Sequence, residues 1–345
     1  MKAVVVIGAG LAGVRCAETL RAEGFDGRIV VVGEERHAPY ERPALSKELL
    51  AGTREDIALR APFHWHELGI ELVLGARVDR VRDGVASAGS RTWRFDRLVL
   101  ATGARPRRLP SAYGPWLHYL RTLDDAYALR EQLRPGRRLV VVGSGFVGAE
   151  VASTAAKMGV DVTVLEAASA PLGGLLGDDV GALLARAYRC HGIDLRLGAS
   201  VQRIDARSTV LDDGTRLAHD LVLVGIGVEP VRELPAERAL IAGDMTGSGH
   251  WSAAAEQGSA AARSLLGLPT APPPPSFVWS DQLGFRLQIV GRPQGAATVE
   301  LEGDETAFVT RYFDARGVML GAVAANSPAA TADLRRELAA VASAA

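Results

Sequence analysis

Uninterrupted apolar runs that end in glycine punctuate this chain. Ala3-Val4-Val5-Val6-Ile7 leads directly into Gly8. A short apolar run bounded by turn formers reads as a strand buried on both faces, as parallel sheets require. A helical stretch follows, then a second apolar strand from Arg28 to Val32. The same succession returns at Leu139-Val140-Val141-Val142, with its second strand from Asp161 to Leu165. Late strands also match, Leu98-Val99-Leu100 with Val222-Leu223-Val224. Between them lie short alternating stretches with turn signals at Asp83-Gly84 and Asp213-Gly214, which read as β-meanders. Each copy is thus a parallel βαβ unit, a meander and a returning strand. After the proline run Pro272 to Pro275, the tail carries strand signals at Arg286–Val290, Ala307–Phe313 and Val318–Ala324, then a helix from about Pro328.

The copies also agree residue by residue. Val4 to Gly13, with Gly8, Gly10, Leu11, Ala12 and Gly13, recurs as Leu139 to Gly148, with Gly143, Gly145, Phe146, Val147 and Gly148. In such a motif the first glycine permits a sharp turn and the second admits a pyrophosphate to the backbone. The third lets the helix pack close to the strand, and the helix N-terminus offers free N–H groups to the phosphates. An acid placed after the second strand accepts hydrogen bonds from a ribose diol, and Glu34 and Glu166 hold that place. A carboxylate at Glu166 repels a 2′-phosphate, and Ala167, Ala168 and Ser169 offer no arginine to receive one. The second site is therefore expected to prefer NADH to NADPH.

Composition narrows the class. At 345 residues, 48% hydrophobic and 23% charged, the chain suits a globular protein of two or three domains. A net charge of −1 supplies no field for nucleic acid or an anionic membrane. No run approaches the ~20 apolar residues of a membrane helix. The apolar start is cut by Gly8 and followed by Arg15 and Glu18, so it reads as a strand rather than a signal peptide, in a cytoplasmic protein. Lysine occurs only at Lys2, Lys47 and Lys157, arginine otherwise supplying the cations, which singles out Lys47. Cys16 and Cys190 form no CxxC and are read as structural. His64 and His66 flank Trp65 without a third ligand nearby, so they read as exposed loop histidines and no metal is expected.

Five segments carry a family resemblance: Pro39-Tyr40-Glu41-Arg42-Pro43-Ala44-Leu45-Ser46-Lys47, Ala101-Thr102-Gly103-Ala104-Arg105-Pro106, Ile241-Ala242-Gly243-Asp244, His250-Trp251-Ser252 and Trp279-Ser280-Asp281-Gln282. With the duplicated glycine motif, they make the chain resemble the NADH-dependent ferredoxin reductases, a group of flavoproteins with two dinucleotide domains. The resemblance implies an α/β fold of two Rossmann-like domains, duplicated as in glutathione reductase, plus a small α+β C-terminal domain. It implies FAD on the first motif and NADH on the second. The FAD domain would span residues 1–114 and 235–268, the NAD domain 115–234 and the C-terminal domain 269–345, covering the flavin and offering dimer contacts.

The resemblance also implies roles. Arg42 would lie by the pyrophosphate and Lys47 by the flavin ring, with Ala101, Thr102 and Gly103 beside the cofactor. Asp244 would bond the ribityl chain, though it also reads as an N-cap of the helical stretch at Ala253–Leu266. Glu150 would lie near the nicotinamide, or else be an acid stabilised by a helix N-terminus. Gly227 falls in the NAD site, and Trp251 and Trp279 would wall the flavin. The implied reaction takes a hydride from NADH onto flavin N5 and passes electrons singly to a ferredoxin, expected to be of the 2Fe-2S type, from a monomer or homodimer. Two other readings stay open: a reductase of a small acceptor such as quinone or oxygen, and a flavin-bound binding module without catalysis. The chain departs from the family between Pro230 and Ile241, where a strand pair is missing, and around Asp244 to His250, where basic residues are lacking.

Overall fold

The computed structural model describes residues 1–110, 113–234, 237, 239–247 and 249–344. By contact the chain divides into two compact units. The first comprises Met1–Arg42, Asp56–Arg105 and Val228–Pro273; the second comprises Pro43–Glu55, Pro106–Gly227 and Pro274–Ala345. The domain edge expected at Pro235 lies outside the described residues.

The first unit is built on a parallel sheet in the order Ala239–Ile241, Arg97–Leu100, Ala3–Ile7, Arg28–Val32, Ile70–Val73. Its central strand explains the unbroken apolar run. Val4 and Val6 pack with Val14, Ala17 and Leu20 of the helix Leu11–Ala22 on one face. Val5 and Ile7 pack with Trp93, Leu98 and Met245 on the other. Burying such a side chain contributes about 1.5–3 kcal/mol, so a polar residue on either face is costly. The meander Arg80–Arg82, Val85–Ala88, Arg91–Arg94 turns at Asp83 and Gly84, both with positive φ. After Pro230 the chain is tied to the segment that follows the strand Arg97–Leu100. The Val231 N–H donates to the Gly103 carbonyl at 3.0 Å, and the Thr102 hydroxyl donates to the Val231 carbonyl at 2.8 Å.

The second unit repeats the plan with the order Asp194–Leu197, Asp161–Glu166, Arg138–Val142, Leu221–Val224, Leu117–His118. It adds an antiparallel sheet in the order Phe277–Gln282, Phe285–Gly291, Met319–Ala325, Phe308–Phe313, Thr298–Gly303. One face of that sheet packs through Leu287, Ile289 and Val323 on Leu176, Leu183 and Leu184 of the helix Gly173–Cys190. The other packs through Val290 and Met319 on Leu334 and Leu338 of the helix Pro328–Ala344. The tail therefore holds two strands beyond the three expected, Phe277–Gln282 and Thr298–Gly303.

Two minor expectations are corrected. His64 and His66 lie on the short helix His64–Glu67 rather than a loop, and the His64 ring is 3.0 Å from Glu18. Cys16 is buried, as a structural residue should be, and burial pushes its thiol up to about 12, whereas Cys190 is exposed.

Candidate functional site

The first glycine turn has the shape its sequence predicts. Gly8 has φ +115°, and a Cβ there would sit 2.0 Å from the Ala101 carbonyl oxygen. A Cβ on Gly13 would meet the Gly8 oxygen at 1.9 Å. Only glycine fits either position. Gly10 differs, since nothing lies within 4 Å of its missing Cβ. The turn therefore presents open backbone at its centre and tight packing at its two ends. Gly10 caps the helix Leu11–Ala22 without any side-chain hydrogen bond, and the first turn holds no acid. Its leading N–H groups, including those of Leu11 and Ala12, have no partner within the helix, the arrangement that receives phosphate.

The second turn repeats this. A Cβ on Gly143 would meet the Gly225 oxygen at 2.6 Å, and one on Gly148 the Gly143 oxygen at 2.1 Å, while Gly145 is open to 3.9 Å. Gly145 caps the helix Phe146–Lys157, again without a side-chain bond. Val147 and Ile226 leave apolar side chains 39% and 37% exposed beside this turn, and Gly227 follows with φ +96°. Both cradles fit a dinucleotide pyrophosphate by the space their glycines leave.

The two acids differ. Glu166 is tied down: its Oε2 accepts from the Ser144 N–H at 2.8 Å and the Ser144 hydroxyl at 2.6 Å, and its Oε1 from the Ala168 N–H at 2.9 Å. Burial alone would raise its proton affinity. The donors at Ser144 and Ala168 outweigh burial and hold the carboxyl below its ordinary value. Glu34 is 66% exposed at its side chain and lies 3.4 Å from the Arg77 guanidinium.

Around the first turn, Arg42 donates to Glu35 at 2.6 Å and to the Tyr40 hydroxyl at 2.9 Å, and Tyr40 donates to Glu35 at 2.5 Å. Burial works against the Arg42 cation, but Tyr40, Glu35 and Asp244 outweigh it and hold its proton more tightly than usual. The structure thus brings Arg42 within electrostatic reach of Asp244. Asp244 lies in the 3-10 turn Gly243–Thr246 and does not cap the helix that follows. That helix is Trp251–Leu265, and His250 holds its N-cap position. Gln257 on this helix accepts from the Gly243 N–H at 2.8 Å and fixes the turn. Ala101, Thr102 and Gly103 leave the sheet beside Gly8, the Ala101 N–H donating to Ile7 at 2.7 Å. Trp251 is half-buried in the first unit; Trp279, in the second, stacks on Phe277 at 6.1 Å between centroids.

Lys47 packs with the second unit, through the segment Pro43–Glu55. Its Nζ lies 2.9 Å from Glu150 Oε1, both side chains nearly buried. Glu150 is thus no acid resting on a helix N-terminus, for the first turn of its helix holds none. Its carboxylate also accepts the Ser46 hydroxyl at 2.5 Å and the Ser280 hydroxyl at 2.6 Å. A buried ion pair persists only when such further donors satisfy it. Sequence reasoning singled out Lys47 and Glu150 separately. It gave no role to Ser46, Ser280, Ser144, Glu35 or Gln257, whose only sequence signal is that most of them stand inside or beside the motifs. Among the described residues no group of histidine, cysteine or acid side chains could hold a metal ion. No described helix is long and apolar enough to cross a membrane.

Residues 2–254 match the model of the pyridine nucleotide-disulphide oxidoreductases, and residues 277–345 match the reductase C-terminal domain. The chain belongs to the pyridine nucleotide-disulphide oxidoreductase family. Within the family it is 37% identical, over 96% of this chain and 92% of the relative, to the ferredoxin–NAD(+) reductase component of the p-cumate 2,3-dioxygenase system of Pseudomonas putida. It is 41% identical to putidaredoxin reductase of Pseudomonas putida over 69% of this chain and 60% of that protein. Among solved structures of the family, the covalent putidaredoxin reductase–putidaredoxin complex superposes with a TM-score of 0.91 at 31% identity, covering 98% of this chain and 93% of that one. The α/β architecture with two Rossmann-type folds is therefore that of these reductases.

Proposed function

We propose that this protein is a flavoenzyme that oxidises NADH and reduces a ferredoxin-type iron–sulfur protein, with FAD on the first glycine turn and NADH on the second. The observation that carries the reading is the pair of open glycine cradles at Gly10 and Gly145, in a chain whose relatives are named as ferredoxin–NAD(+) reductases. Bound flavin supplies the chemistry, accepting two electrons together from NADH and releasing them one at a time.

The chain's own groups bind, orient and balance charge. The free N–H groups after Gly10 and Gly145 take the two pyrophosphates. Glu34 and Glu166 accept ribose hydroxyls, and the carboxylate at Glu166 disfavours NADPH. Arg42 places positive charge by the first pyrophosphate, and Asp244 accepts from the ribityl chain. Gly8, Gly13, Ala101, Thr102 and Gly103 shape the flavin side; Gly143, Phe146, Val147, Gly148 and Gly227 shape the nicotinamide side. Lys47 is the cation that stabilises negative charge reaching the flavin ring. Glu150 holds that cation and would lie near the nicotinamide. Trp251 and Trp279 wall the flavin. The acceptor is a [2Fe–2S] ferredoxin, a one-electron carrier. The net charge of −1 fits a reductase free of nucleic acid and membrane, acting in the cytoplasm as a monomer or homodimer.

An anaerobic titration with NADH, and separately NADPH, followed by visible absorption tests the reading. Bleaching of a yellow protein at far lower NADH than NADPH is the expected result. A yellow protein that NADH leaves unchanged would remove the reductase reading.

A further inference from the structure

The Lys47–Glu150 pair is held from two directions by hydroxyls that the motifs do not explain. From the loop side, Ser46 donates to Glu150 Oε2 at 2.5 Å, and the Ser46 carbonyl accepts the Thr154 hydroxyl at 2.9 Å. From the C-terminal sheet, Ser280 donates to Oε1 at 2.6 Å, the oxygen that also meets Lys47. Behind Ser280 stands Gln282, whose Nε2 donates to the Ser280 oxygen at 2.9 Å. Ser280 and Gln282 are both buried, at 0% and 3% exposure. An ionised carboxylate only accepts, and the amide N–H₂ only donates. The proton order is therefore fixed: Gln282 to Ser280, and Ser280 to Glu150. One residue further, the Leu283 N–H donates to the Ser153 hydroxyl at 3.0 Å, so the same sheet also grips the helix that carries Glu150.

We propose that Ser280, backed by Gln282, is a positioning residue through which the C-terminal sheet fixes the Glu150 carboxylate and so aims the Lys47 ammonium. The physical reason lies in the competing options of each group. Lys47 Nζ also donates to the Pro43 carbonyl at 3.2 Å. Without the Ser280 hydroxyl, Glu150 Oε1 keeps Lys47 as its sole partner and the carboxylate turns toward the ammonium. The ammonium is then drawn off the position set by three donors. Chains of hydrogen bonds polarise one another in a low-dielectric interior, so Gln282 strengthens the Ser280 donor. The C-terminal domain is on this account part of the charge-stabilising apparatus, beyond any covering function.

The inference rests on the proposed role of Lys47 and Glu150, and its test separates the two. The variants are Ser280→Ala, Gln282→Met and, as a control in the same strand region, Ser276→Ala, whose hydroxyl donates to the Gly291 carbonyl. In the FAD-free chain, urea unfolding is measured for Ser280→Ala, Glu150→Gln and the double variant. The expected result is coupling, with Ser280→Ala costing several-fold less in the Glu150→Gln background; additive losses overturn the proposal. In the FAD-loaded protein, the flavin midpoint potential shifts negative in Ser280→Ala and less so in Gln282→Met. Single-turnover reduction by NADH slows about tenfold in Ser280→Ala while the half-saturating NADH concentration stays within twofold. Ser276→Ala leaves all of these unchanged. An unshifted potential in a folded Ser280→Ala also overturns the proposal. Should Ser280→Ala not fold, the potential of Gln282→Met decides in its place. If NADH fails to bleach the wild-type flavin, the reductase reading falls, while the unfolding cycle and the potential still decide whether Ser280 holds Glu150.

Discussion

The two glycine turns of this chain share a backbone and differ in what surrounds it. A Cβ at Gly8 or Gly13 would clash with a backbone carbonyl oxygen, as one at Gly143 or Gly148 would, and both helices begin without a side-chain cap. The residue after the first glycine is Ala9 in one copy and Ser144 in the other. That single hydroxyl, with its own N–H, holds Glu166 in place, whereas Glu34 stays exposed beside Arg77. The phosphate cradle is therefore duplicated, but the ribose acceptor is preorganised in only one copy. Preorganisation suits a ligand that must be chosen and exchanged, since it lowers the ordering cost of each binding event.

The largest test is to destroy the shared part. Gly8→Ala places a methyl 2.0 Å from a backbone oxygen at positive φ, and is expected to cost about 3 kcal/mol and abolish FAD retention. Gly143→Ala meets its carbonyl at the longer 2.6 Å, so it should spare the yellow colour and weaken NADH binding instead. The absorbance of the purified protein and an NADH titration check both. Loss of flavin in the two variants alike would erase the division of labour between the copies.

A middle-sized effect probes what differs. Glu166→Ala removes a charged acceptor and should cut kcat/KM for NADH by roughly 10- to 100-fold, the 1.5–3 kcal/mol of a hydrogen bond to a charged group. The value for NADPH should change little or rise. Glu34→Ala should leave the NADH to NADPH ratio untouched. Steady-state rates with the two nucleotides read this directly, and an equal loss for both would remove Glu166 as the discriminating group.

The smallest effect is a difference in acid response. In the second unit His118 and His219 are buried, and burial pushes both imidazoles below their ordinary 6.5. The unfolded chain therefore takes up these protons first, so the stabilisation is complete above pH 6.5 and is lost as pH falls below it. In the first unit the corresponding group is Glu18. Burial alone would raise its carboxyl, but Arg60, Arg15 and His64 outweigh burial and hold it below 4.5. Its contribution is kept above pH 4.5 and lost only as pH falls further. Between these values the second unit should weaken alone. Amide exchange at pH 7.5 and 5.5 should show protection falling at Leu221–Val224 before Ala3–Ile7, and His219→Phe should flatten the change. Equal loss in both strands would contradict it.

Much of the fold was legible because local pattern and burial agree. The strand Arg28–Val32 was read with the bounds it has, and Asp161–Leu165 extends by one residue to Glu166. The tail was harder for a physical reason. Thr298–Gly303 is an edge strand exposed along its length, so no alternation of burial marks it. Phe277–Gln282 buries Ser280 and Gln282 rather than apolar residues, because their partners are a carboxylate and each other. The site divided similarly. Glycines and acids announce themselves by spacing within one βαβ unit. The link from Lys47 to Glu150, and the hydroxyl of Ser280, depend on contacts between segments far apart in sequence, which no local period encodes.

The order of synthesis takes on a particular meaning in this chain. The first unit needs the strand Ala239–Ile241 to flank Arg97–Leu100, and the Thr19 hydroxyl on its first helix meets Ser259 on the helix Trp251–Leu265. Pro43–Glu55, made early, finds its packing partners only in sequence that follows. As the chain leaves the ribosome, the amino-terminal Rossmann sheet thus waits, incomplete at one edge, until the second nucleotide fold has already emerged. Neither unit is severed as an intact piece by a single cut, so truncation at any one junction yields fragments that each lack part of a core.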